Sequence, residues 1–204
     1  MLESGPWRTR KVCVAQLRVP RQTSRLVLRA FEESDLDALT SLYSREDVNR
    51  YLYSEPKDKE QLRSVLEAKL SRPIEIIDKN LMPVAVVLRD TNRLIGDFIL
   101  RWTADQHRQG EIGGSLHPDF QGQGLAVETY AVLLEIGFSD FNLHRIYGRC
   151  DGRNSASIRA LEKVGLQREA HFIENEFVKG EWTDEVVLAI RRNQWLARRI
   201  EPED

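Results

Sequence analysis

The stretch Gln121-Gly122-Gln123-Gly124-Leu125-Ala126 decides how this chain is read. Upstream, Glu111 to His117 reads as a short strand closed by Pro118-Asp119. Downstream, Ala126 to Phe138 reads as a helix, with apolar residues at Leu125, Val132, Leu133 and Ile136. A strand that breaks into a glycine-rich turn and opens a helix presents a row of free backbone N–H groups, with the positive end of the helix dipole behind them. That cradle suits a pyrophosphate. Glycine matters there because a Cβ would hold the phosphate oxygens out of hydrogen-bonding range. Two other phosphate loops are set aside by the same residues. No Gly-Lys-Ser/Thr follows, so a Walker-type loop is absent. Val127 stands where a dinucleotide fingerprint needs a third small residue.

A second constellation follows some thirty residues on: Asn154-Ser155-Ala156-Ser157, then Ile158 to Leu166. Asn154 is a natural N-cap, and Gly165 falls where the helix would stop. Ile158, Leu161 and Val164 supply its apolar face. Taken alone, this is a capped amphipathic helix.

Taken together, the two segments resemble the GNAT superfamily of acyl-CoA N-acyltransferases, and the run from Ser24 to Ile190 is similar to its RimJ/RimL-like branch, which acetylates ribosomal protein N-termini. The resemblance implies an α/β fold (α+β mixed sheet) in which the strands at 111–117 and 145–150 run parallel and splay apart. Acetyl-CoA, the cosubstrate, enters that notch. By the same resemblance the backbone of Leu116 and His117 binds the pantetheine arm and thioester carbonyl. Gln121, Gly122, Gln123, Gly124, Leu125 and Ala126 hold the pyrophosphate, and Asn154 belongs to the second cofactor segment. Many members carry a tyrosine acid where this chain has Leu161, so acid catalysis by tyrosine from that site is ruled out. The RimL-like pattern instead assigns Ser157 to the departing thiolate and Glu176 as base, with Glu111 in reserve. Gly114, where the branch carries an aromatic, would open the acceptor floor, and Leu166 replaces a usual phenylalanine. Tyr51, Tyr53 and Trp102 are candidates for the acceptor wall, against the plainer reading of aromatics as core.

The implied activity is acetyl transfer to a primary amine by direct attack in a ternary complex. The acceptor is a protein N-terminal α-amine or a small molecule such as an aminoglycoside, a polyamine or an amino-acid-like amine. A non-catalytic acyl-CoA-binding module is the rival from another class.

Composition bounds the rest. The 204 residues are 41% hydrophobic and 30% charged, which describes one globular domain. Net charge is −2, against a general nucleic-acid binder. No apolar run approaches the ~20 residues of a membrane span, and the N-terminus lacks the order of a secretory signal. Cys13 and Cys150 show no paired spacing, so a reducing cytoplasm is expected. The four histidines are scattered, and no metal is expected. Residues 1–21 carry five Lys/Arg against Glu3, which reads as a basic disordered leader ahead of a single domain over 22–200.

Along the chain the order is strand, two helices, three strands, helix, strand, helix, two strands. That order predicts a mixed sheet of six to seven strands with helices on both faces. Trp182–Ile190 at a sheet edge would suit a homodimer.

Overall fold

The computed structural model describes residues 20–71, 81–102 and 107–199, which share one eight-stranded sheet. Its centre is a hairpin. β3 (Leu81–Leu88) and β4 (Leu94–Trp102) run antiparallel around a turn in which Asn92 takes φ 53°. Residues alternate sides along a strand. Val84 and Val86 therefore join one core layer, while Ala85 and Val87 join the other.

Helices cover both faces. α1 (Leu36–Tyr43) and α3 (Lys59–Leu70) bury Leu39, Leu62 and Leu66 on one side. α4 (Leu125–Glu135) and α5 (Ser155–Lys163) bury Leu133, Leu134, Ile158 and Leu161 on the other. Local chemistry fixes the helix ends. The Asp58 carboxylate accepts from the Gln61 amide at 2.8 Å while Gln61 Oε1 accepts from the Asp58 N–H at 3.0 Å, the reciprocal cap that opens α3. Asn154 Oδ1 accepts from the Ser157 N–H at 3.1 Å and opens α5, which Gly165 then stops at φ 109°.

The strand order is β1-β2-β3-β4-β5-β6-β8-β7. Here β1 is Arg21–Gln22, β2 Leu26–Arg29, β5 Gln109–Leu116, β6 Arg145–Asp151, β7 Gln167–Val178 and β8 Glu181–Arg191. Among the described strands, only β5 and β6 are parallel. They pair at Gln109↔Arg145, Gly110↔Ile146 and Glu111↔Tyr147, and then part.

Several expectations need correction. The sheet has eight strands rather than six or seven, because the two-residue β1 pairs with β2 through Arg21↔Leu28 and Gln22↔Val27. α4 ends at Glu135 and widens into a π-helical turn at Ile136–Asp140. The short helices α2 (Glu46–Asn49) and α6 (Arg192–Arg198) went unread. Trp182–Ile190 is not at an edge. β8 pairs with β6 from Arg145↔Arg191 to Asp151↔Glu185, which leaves β7 outermost. The expected basic leader, apart from Pro20 and Arg21, lies outside the described residues, as does Cys13.

Candidate active site

The His117 N–H donates to the Ile95 carbonyl at 2.8 Å, across the β4–β5 pair. Backbone groups alternate direction along a strand, so Ser115 and Gly113 also face β4, while Ile112, Gly114 and Leu116 face β6. Beyond Glu111↔Tyr147 no β6 residue pairs with them. The Gly114 and Leu116 amides therefore look into an open notch. The Leu116 carbonyl is taken by Gln121 Nε2 at 2.9 Å. His117 does not face the notch. Its amide belongs to the sheet, and its buried ring stands 3.1 Å from Ser41 Oγ, fastening the end of β5 to α1.

The glycine loop follows directly. Gly122 and Gly124 take φ 74° and 78°, a region that disfavours any side chain. A Cβ on Gly122 would meet nothing within 4 Å, so the space before the loop is open. The first N–H groups of α4, from Leu125 and Ala126 onward, have no intrahelical partner. Gln121 and Gln123, both exposed, fold back on the preceding backbone: Gln123 Nε2 donates to the Asp119 carbonyl at 3.1 Å, and Gln121 braces Leu116. The Leu125 side chain is buried and anchors the helix start. A brace that the sequence reading missed comes from the link between β1 and β2. Arg25 donates to the Gln123 carbonyl at 2.9 Å and pairs with Glu128 at 2.6 Å, and Thr23 hydrogen-bonds the same carboxylate. Burial alone would raise the Glu128 pKa, but the bonds from Thr23 and Arg25 prevail and hold it below the usual glutamate value.

The notch opens into a cavity of about 450 Å³ that brings Asn154, Ser157 and Glu176 together. Ser157, in the first turn of α5, lies 3.3 Å from the Cys150 thiol. Glu176 sits on β7 after a register shift between Phe172 and Glu176, where Glu174 takes φ 46°. Its carboxylate has no cation within 4 Å among the described residues. Glu111 is differently placed. Arg149 bridges it at 3.1 Å to Glu185 at 3.2 Å, and the Tyr147 hydroxyl donates to it at 3.5 Å.

On the far wall Asp97 is almost wholly buried and accepts from both Tyr43 and Lys69, each at 2.9 Å. Desolvation, followed by the Asp97 charge, raises the Tyr43 phenol well above its ordinary range. Tyr51 and Tyr53 line the cavity, but Trp102 does not, being stacked on Phe141 at 4.7 Å in the core. Gly114 does not open the floor in the expected way. A Cβ there would overlap the Phe98 ring and come within 2.7 Å of the Asp97 carbonyl, so the aromatic surface is supplied by β4. Lys179 and Gly180, at φ 53° and 86°, make the tight β7–β8 turn, and Lys179 Nζ reaches the Asn49 carbonyl at 2.6 Å. That contact joins the hairpin to the segment carrying Tyr51 and Tyr53.

A splayed parallel pair, a glycine-opened helix below it and a carboxylate-lined cavity define an acyl-transfer site, and comparison with known proteins agrees. The model of the acetyltransferase (GNAT) domain matches residues 25–167, and the chain belongs to that family. It is 31% identical over 173 residues to the uncharacterized N-acetyltransferase YnaD of Bacillus subtilis (strain 168), covering 85% of this chain and 97% of that one. The crystal structure of a GNAT-family acetyltransferase from Bacillus anthracis superposes with a TM-score of 0.76 at 28% identity, covering 84% of this chain and 98% of that one. Spermidine N-acetyltransferase from Vibrio cholerae, solved with CoA and spermine, gives 0.73 at 26% identity, covering 85% and 99%. The protein is an N-acetyltransferase that moves an acetyl group to an amine. Among the described residues there is no cluster of three metal-ligating side chains, and no helix is long and apolar enough to cross a membrane.

Proposed function

We propose that this enzyme acetylates a primary amine on a small cationic molecule, of polyamine type. The charge of the acceptor cavity carries the reading. Among the described residues, Asp97, Glu111, Asp151, Glu176, Asp184 and Glu185 line it, against Lys69, Arg101 and Arg149. An acidic, partly enclosed wall raises the local concentration of cations. It also gives a second or third ammonium group somewhere to rest while the first reacts. The Vibrio cholerae relative crystallised with spermine lends support.

The residues fit CoA as acyl donor. The open space ahead of Gly122, the free amides of α4 and the notch-facing amides of Gly114 and Leu116 would take its pyrophosphate and pantetheine arm. Bound there, acetyl-CoA supplies an activated thioester. Glu176 would accept the proton that the attacking amine gives up, directly or through water. The Gly114 N–H would donate to the carbonyl oxygen as negative charge builds on it. Ser157 would donate its hydroxyl hydrogen to the leaving sulfur, consistent with the RimJ/RimL-like pattern of serine and glutamate. Glu176 is the better base than Glu111, because Arg149 and Tyr147 already occupy the oxygens of Glu111.

The test is thiol release from acetyl-CoA with spermidine, spermine, an aminoglycoside and peptides bearing free N-termini. Polyamines should give the highest kcat/KM, and the value should fall with added salt as the cavity field is screened. A peptide α-amine turned over faster than every polyamine would replace this acceptor with a protein N-terminus.

A further inference from the structure

A charge held partly out of water needs a counter-charge beside it. Among the described residues four arginines are partly buried: Arg21, Arg29, Arg145 and Arg192. The first three each hold a carboxylate: Asp140 at 2.6 Å, Asp35 at 2.8 Å and Glu169 at 2.5 Å. Arg192 has none within 4 Å among the described residues. Its Nη1 donates to the neutral Asn142 amide oxygen at 2.7 Å. Its Nε is buried without a partner, as in Arg21 and Arg29, but those two offset the loss with a carboxylate. Arg192 lines a cavity of about 440 Å³, separate from the acceptor site, together with Arg108, His144 and Arg191. No described Asp or Glu lines it. Backbone bonds hold these groups side by side. The His144 N–H donates to the Arg108 carbonyl at 2.7 Å, and the Arg192 N–H donates to the His144 carbonyl at 2.9 Å. Arg191 Nε donates to the neutral Gln194 amide oxygen at 3.2 Å. Leu143 and Leu196 add apolar wall.

We propose that this cavity is an anion site that takes the phosphate group of a small organic phosphate. Guanidinium forks match phosphate oxygens in pairs, and three of them face one space here. The volume and the two leucines leave room for an organic part beyond the phosphate itself. The site is not the cofactor loop. It lies where β5 and β6 begin, at Gln109 and Arg145, and where β8 ends at Arg191. The glycine loop follows the opposite end of β5, roughly 23 Å away at about 3.3 Å per residue. A ligand held by Arg108, His144 and Arg192 touches the starts of both parallel strands and the end of β8. It would brace the parallel pair from the end away from the notch.

Calorimetry on the full chain saturated with CoA, which keeps the glycine loop occupied, tests the site. Phenyl phosphate should bind at one equivalent and raise Tm as its concentration grows. Inorganic phosphate should bind about 10-fold more weakly, for want of the apolar part. Arg192→Gln should weaken phenyl phosphate by about 10-fold or more, and so should Arg108→Gln combined with Arg191→Gln. Absence of saturable binding would overturn the proposal. So would binding that these substitutions leave unchanged, since the anion would then sit elsewhere. Benzoate held as tightly as phenyl phosphate would overturn the choice of phosphate over carboxylate. Inorganic phosphate held as tightly would overturn the organic ligand and leave the free ion in its place. If Arg192→Gln does not fold, the double variant decides, because Arg108 and Arg191 are both exposed.

Discussion

Gly124 is the residue at which backbone conformation and chemistry coincide. Its φ of 78° places any L side chain in a strained region, costing on the order of 1 kcal/mol, and its amide starts the row that faces the notch. Gly124→Glu adds a carboxylate where a diphosphate should approach. The variant should fold, because nothing but Arg25 lies near the new Cβ, at 3.7 Å, yet it should lose CoA binding in calorimetry. Unchanged affinity in the folded variant would remove the loop from the cofactor site. Glu176 makes the matching case on the acceptor side. Glu176→Gln removes the one cavity carboxylate with both a free face and a place on β7. It should slow turnover by roughly 10²-fold, with partial recovery as pH rises and more amine becomes neutral. A variant with the wild-type rate and pH profile would return the base to Glu111 or to water.

At the scale of elements, the start of α4 is fastened by Glu128 to Thr23 and Arg25, which lie just before β2. The folded-state pKa of Glu128 is depressed, so its contribution to stability is present above the unfolded value of about 4.3. It is lost as pH falls through the lower folded value. Arg25 is about half exposed, so solvent screening keeps this contribution below about 1 kcal/mol. Glu128→Gln should therefore lower Tm slightly at pH 7, and the difference from wild type should close as both are taken down toward pH 3. A gap that stayed constant with pH would mean that the carboxylate's charge plays no part in the clamp. The same scale explains why the last hairpin was misplaced. Both β7 and β8 read as strands, but only the seven-residue antiparallel register with β6 puts β8 inside and leaves β7, with Phe172, Ile173 and Phe177 exposed, at the edge.

For the whole molecule, the notch divides the sheet into two halves joined by three parallel pairs, Gln109↔Arg145 to Glu111↔Tyr147. A ligand seated across that division contacts both halves in the folded chain and neither when unfolded. CoA at about 100 times its Kd should then stabilise the protein by roughly 2.7 kcal/mol, read as a rise in Tm that grows with ligand concentration. Spermine alone should raise Tm less, and less again in high salt, because its hold on the acidic wall is screened electrostatics.

The sequence by itself determined whatever depends on neighbours in the chain. The Asn154 cap, the helix stop at Gly165 and the glycine loop opening α4 are all set within a few residues, and each is where the pattern placed it. The family followed from two such local motifs. Tertiary structure decided what depends on partners distant in sequence. Whether the His117 amide faced the notch turned on the β4–β5 register with Ile95. Which strand was the edge turned on β6 choosing β8, and what filled the space beside Gly114 turned on Phe98 from another strand. Each of these outcomes depends on a three-dimensional approach between elements, which no periodicity along the sequence records.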